Sequence, residues 1–200
     1  MGRRSLKTVR RDDLIRACIE TLAEDGWDGA SLARIAGRAG LSAGLVAHYF
    51  GDKAELMEAT MRHVCFRLWR RQADLLTQAR APIDRVAAVI DANLGSDQFG
   101  TESCAIWLAF WAQANHLPRL GRIHRITAAR LSSNLRHALG GLLPPETPER
   151  AATLARIATG LSILIDGLWL RAALGDVSPA EARSLALAHL DAELARMVCR

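Results

Sequence analysis

Two residue pairs have the chemistry to hold a small organic cation. Trp107 and Trp111 stand one helical turn apart, and Trp169 follows Asp166 by three residues, so each pair shares one face of a helix. Aromatic faces attract a quaternary ammonium group without hydrogen bonds, and a carboxylate balances its charge. The chain has 5 tryptophans but 1 tyrosine. Tryptophans at helical spacing serve equally in a core or a dimer interface, so spacing alone leaves both readings open.

Residues 31–50, SLARIAGRAGLSAGLVAHYF, have a different chemistry. No Asp or Glu lies between Ala30 and Gly51, so nothing in the segment repels phosphate. Ser31 and Ser42 suit helix N-caps, and Gly40 suits the turn between two short helices. Leu32, Ile35, Ala36, Leu41, Val46 and Phe50 would hold the pair together as a helix-turn-helix. Ahead of it, Arg3, Arg4, Lys7, Arg10 and Arg11 form a basic arm able to follow a DNA backbone or enter a minor groove. The bland alternative is two packed helices of an ordinary all-α domain.

The elements that must position these residues read as helices throughout. Leu14, Cys18 and Leu22, with Ile15 and Ile19 beside them, predict a first helix over about Arg10 to Glu24, ended by Asp25-Gly26. Asp52 caps a long helix into the seventies. Pro82, Pro118, Pro148 and Pro179 sit where helices start, predicting helices near 82–94, 118–139, 148–174 and 179–197, with another at 102–115. Gly95–Gly100 and Gly140–Thr147 read as loops. The expectation is an all-α fold of about nine helices, three short and then six longer, with no strand signal. It divides into a DNA-binding domain over 8–68, with its motif at 31–50, and a ligand-binding and dimerisation domain over 69–200.

Composition narrows the function classes. Half the residues are apolar, the net charge is +5 and the pI is near 9.6, which permits nucleic-acid binding without establishing it. The charged start lacks a signal-peptide apolar stretch, and no run of about 18 uncharged apolar residues occurs. Cys18, Cys65, Cys104 and Cys199 form no CxxC pair and fit a reducing cytoplasm, with Cys18 and Cys104 as core residues. There is no nucleophile elbow, phosphate loop or HExxH pair, and His116 and His124 lack companions for a metal. The chain is therefore expected to be no enzyme and to need no metal or cofactor.

The stretch GLSAGLVAHYFGDKAEL resembles the signature of the TetR family of repressors, through Gly40, Leu41, Ser42, Gly44, Val46, Tyr49, Phe50, Lys53 and Leu56. That resemblance implies a homodimer whose third helices enter successive major grooves of a near-palindromic operator. It assigns Ser31 and Arg34 to phosphate from the second helix, and Ser42, Ala43, Gly44, His48 and Tyr49 to DNA from the third. Lys53 would neutralise a phosphate from the fourth. Leu45 and Ala47 depart from the broad pattern, where Thr and Tyr are usual, and shift base reading toward His48 and Tyr49.

TMRH (60–63), IDAN (90–93), residues 107–126, RLSSNL (130–135) and LIDGLWLRAAL (164–174) are similar to the choline-responsive BetI-type branch of that family. The likeness implies repression of genes that import choline and oxidise it to glycine betaine, with choline or betaine aldehyde as inducer. It assigns the ligand to Trp107, Trp111, Asp166 and Trp169, with Phe110 and Asp91 as further candidates. An inducer that weakens operator binding about a hundredfold needs about 2.7 kcal/mol of differential affinity, within reach of several cation–π contacts. The last two helices, through Leu161, Leu164, Ile165, Leu168, Leu185, Leu187 and Leu190, are expected to form a four-helix interface with the twin subunit. Two other readings stand beside this one: a ligand-binding module without DNA, and a TetR-type repressor for another cationic or apolar ligand.

Overall fold

The computed structural model describes residues 6–142 and 149–198. Among them are nine α-helices and no strand: α1 Leu6–Gly29, α2 Leu32–Arg38, α3 Ala43–Phe50, α4 Lys53–Gln78, α5 Pro82–Leu94, α6 Thr101–Ala114, α7 Pro118–Gly140, α8 Arg150–Ala173 and α9 Pro179–Val198. Arg3, Arg4, Pro148 and Cys199 lie outside the described residues.

Several boundaries differ from expectation for local reasons. α1 starts at Leu6, so Arg10 and Arg11 sit on a helix rather than a free arm, and it kinks at Gly26, where the sequence reading ends the first helix. Gly26 breaks it with φ 67°, a conformation costly for any residue with a Cβ. Gly95–Gly100 is not plain loop: Ser96–Phe99 make one 3-10 turn. α8 starts at Arg150.

The chain packs as two units, residues 1–66 with 101–125, and residues 67–100 with 126–200. By contacts, residues 101–125 group with the N-terminal helices. The physical reason is that α1 packs along α6. In the first unit Leu14, Cys18, Leu22, Ile35, Val46, Phe50, Leu56, Ile106, Phe110 and Leu120 are buried. In the second, α5, α8 and α9 pack on one another and bury Val89, Ile90, Leu161, Ile165, Leu168, Ala186 and Leu190. α8 is long and apolar enough to cross a membrane by length and composition alone; it carries Asp166 and packs on α5 and α9.

That packing corrects the expected subunit interface. Leu161, Ile165, Leu168 and Leu190 are consumed by the chain's own core, whereas Leu185 of the expected set stays exposed, as do Ile163, Leu170 and Leu174.

Candidate functional site

The helix-turn-helix is built by local chemistry. Ser31 Oγ accepts from the Arg34 N–H at 3.2 Å and Ser42 Oγ from the Leu45 N–H at 3.3 Å, so each serine caps its helix. Gly40 supplies the turn with φ 65°, and Gly51 ends α3 with φ 72°. Ile35, Ala36, Val46 and Phe50 are buried as expected, while Leu32 and Leu41 are half-buried. Turned outward on α3 are Ala43, Gly44, Ala47 and His48, with Ser42 at its start and Tyr49 half-buried. The His48 and Tyr49 rings meet edge to face at 5.7 Å.

Charge at this face is less simple than the acid-free segment suggests. Arg34 pairs with Asp25 at 2.7 Å, and Arg38 pairs with Glu24 and reaches Glu20 at 3.7 Å. The hydrogen bond from Arg38 holds the Glu24 carboxyl below the usual glutamate range. Carboxylates of α1 therefore temper the basic residues of α2. Lys53 also has a partner already: its Nζ donates to the Trp27 carbonyl at 2.7 Å and lies 5.2 Å from that ring's centroid.

The ligand candidates fall in both units, and each set stands by itself. On α6, Trp107 and Phe110 are buried with ring centroids 5.7 Å apart, half-buried Trp111 lies 6.3 Å from Trp107, and His124 lies 6.4 Å from Phe110. On α8, Trp169 is buried and Asp166 is exposed. Asp91 is engaged: Arg183 donates to its carboxylate through Nε at 2.5 Å and Nη2 at 3.0 Å. Its charge is balanced already by the Arg183 guanidinium. Sequence reasoning missed Phe99, whose ring stacks with Trp169 at 6.0 Å and 23°, because a single aromatic in a glycine-flanked turn shows no periodicity. Ala47, read from the sequence as a departure that loses a polar contact, has its methyl group exposed beside His48. Among the described residues no cluster of His, Cys, Asp and Glu could hold a metal ion.

Residues 14–60 match the bacterial regulatory proteins of the tetR family, and residues 82–195 match the C-terminal domain of BetI-type transcriptional repressors. The chain belongs to the TetR family. Its TetR relatives include the HTH-type transcriptional regulator BetI of Stenotrophomonas maltophilia, 39% identical with 97% of each chain covered. The regulator of the same name from Burkholderia thailandensis is 41% identical with 98% of each covered. Among solved structures, a transcriptional regulator from Pseudomonas aeruginosa superposes with a TM-score of 0.82 at 26% identity, over 96% of this chain and 93% of that one. A regulator from Saccharomonospora viridis, solved in complex with choline, shares the fold with a TM-score of 0.77 at 16% identity, over 92% of this chain and 96% of that one. The TetR assignment makes the chain a DNA-binding transcriptional regulator of the repressor type and not an enzyme.

Proposed function

We propose that this repressor controls genes for the uptake of choline and its oxidation to glycine betaine, and that choline or betaine aldehyde releases it from DNA. The observation that carries the ligand is the placement of Asp166 one helical turn before Trp169, inside the segment that matches BetI-type repressors. A carboxylate beside an aromatic ring suits a quaternary ammonium group. Asp166 and Trp169 on α8 are the proposed ligand residues of the second unit; Trp107, Phe110 and Trp111 on α6 are a separate candidate set in the first. The relatives' shared name and the choline bound to the Saccharomonospora viridis regulator support that reading.

On the DNA side, the capped α3 presents Ala43, Gly44, Ala47 and His48 outward, and these with Ser42 and Tyr49 are the proposed base and backbone contacts. Alanine methyl groups suit the thymine methyl, and imidazole and phenol supply hydrogen bonds. Ser31, Arg34 and Lys53 flank them toward phosphate, with Arg34 and Lys53 also held by their protein partners. The active species is a cytoplasmic homodimer on a near-palindromic operator, joined through Ile163, Leu170, Leu174 and Leu185.

A duplex selected from random DNA by the protein itself tests the whole reading. Fluorescence anisotropy should show saturable binding that choline weakens, and His48→Ala with Tyr49→Ala should lose most of the sequence preference. A choline titration that leaves both tryptophan emission and duplex affinity unchanged sinks the ligand assignment. The second reading, an apolar inducer, is favoured by the α6 cluster, since no Asp or Glu occurs between Glu102 and Glu146. An apolar probe that shifts emission where choline does not would select it.

A further inference from the structure

The turn between α5 and α6 is tied to several elements of its own unit. It packs on α5 and α9. Asp97, in its first half, receives Nη1 of Arg71 from α4 at 2.7 Å, and Nη2 of the same guanidinium donates to the Asp91 carbonyl at 3.4 Å. Gly95 makes room for this approach: a Cβ there would lie 2.5 Å from Arg71 Nη2 and 2.7 Å from the Asp91 carbonyl oxygen. At the other end of the turn, Phe99 stacks on Trp169 of α8. One short segment therefore touches a proposed ligand residue at one end and α4 at the other.

The spacing of the two rings decides what a ligand would do. Carbon atoms in contact sit about 3.5–4.0 Å apart, so a methylammonium group seated between two ring faces needs them about 7–8 Å apart. Phe99 and Trp169 are 6.0 Å apart between centroids. A cation that takes this face of Trp169 must push Phe99 outward, and the turn that carries Phe99 is clamped to α4 by Arg71. α4 is continuous back to Lys53, three residues beyond the end of α3 at Phe50.

We propose that Phe99 is a wall of the ligand site at Trp169, and that Asp97 and Arg71 are positioning residues that pass its displacement to α4. The inference rests on the reading that a quaternary ammonium ligand binds at Trp169. The ligand then prefers the displaced state of the turn and DNA prefers the undisplaced one, so each weakens the other by the same factor.

The test uses the full chain, choline as probe and the selected duplex. The readout is the ratio of duplex affinities without and with saturating choline, beside choline affinity from tryptophan emission. Wild type is read first. Asp97→Asn should bind the duplex normally without choline, yet its ratio should fall at least about fivefold, and Asp97→Glu should restore it. Phe99→Leu should change choline affinity about fivefold or more. A role confined to stability would lower the unfolding midpoint and leave the ratio alone. Arg71→Lys gives a second view of the clamp should Asp97→Asn fold poorly, and it too should lower the ratio. Wild-type ratios in Asp97→Asn and Arg71→Lys, or unchanged choline affinity in Phe99→Leu, overturn the inference while leaving the choline reading intact. Wild type that ignores choline overturns both.

Discussion

Arg11 lies across the ring of Phe50. Its guanidinium carbon is 4.3 Å from the ring centroid, and its Nη1 donates to the Tyr49 carbonyl at 3.3 Å. A cation at the carbonyl end of a helix is electrostatically favourable, so α1 braces the last turn of α3. The residue expected in a DNA-binding arm is thereby a support for the helix that carries His48 and Tyr49.

That role separates Arg11 from a phosphate contact. Arg11→Ala should cost about 1 kcal/mol in urea unfolding, the scale of an exposed cation–π contact with a hydrogen bond. It should also weaken duplex binding while leaving the slope of log K against log salt nearly unchanged. A phosphate contact would lower that slope by about 0.9. A drop of that size in the measured slope returns Arg11 to the DNA surface.

Asp25 gives the opposite expectation. Its carboxylate engages Arg34 at 2.7 Å on the exposed face of α2. Asp25→Asn frees a positive charge and removes a negative one. Affinity for both selected and random duplex should rise, and the salt slope should steepen by about one. The cost in stability should be about 1 kcal/mol, because Arg34 is exposed while the Asp25 carboxylate is mostly covered. Unchanged affinity at low salt would show that Arg34 faces away from phosphate.

How far this was legible in the sequence follows from range. Ser31, Gly40, Ser42 and Gly51 work within a turn of their own position, so caps and turns read correctly from residue types. The pairing of Arg38 with Glu24 spans 14 residues across a reversal of the chain, and no periodicity marks it. The α6 helix has the wide apolar face of any core helix, and nothing local says that it packs on α1. The leucines of α8 read as a subunit contact because a stripe shows that a face is buried, not which partner buries it. Asp91 reads as a free carboxylate until α9 brings Arg183 to it.

Glu193 predicts a pH dependence. It is 4% exposed and accepts from Arg156 at 2.7 Å, with Arg196 also at 2.7 Å. The bond from Arg156 holds its carboxyl below the usual glutamate range. A depressed folded-state value stabilises the fold above the ordinary range near 4.3, and that contribution is lost as pH falls through the folded value. Glu193→Gln should therefore be less stable than wild type at pH 7, with the gap closing as pH falls toward 3. Urea midpoints at several pH values check this, and a constant gap would assign the loss to packing.

The Cys18 thiol is buried between α1 and α4, where it donates to Met57 Sδ at 3.6 Å, and burial pushes it up to about 11. It should resist iodoacetamide at pH 8 in the folded chain, with half-buried Cys104 modified before it. Mass spectrometry of timed samples reads the order, and labelling of Cys18 ahead of Cys104 would show that the first unit opens.

Ser42 and Gly51 have a wider consequence. Each end of the recognition helix is stopped by a residue acting on its own backbone, and Val46 and Phe50 anchor it from within. The four outward positions can therefore be rewritten like type in a fixed frame. Exchanging Ala43, Gly44, Ala47 and His48 should leave the helix and its caps in place, so that on the proposed reading a change at these positions alters operator preference before it alters the fold.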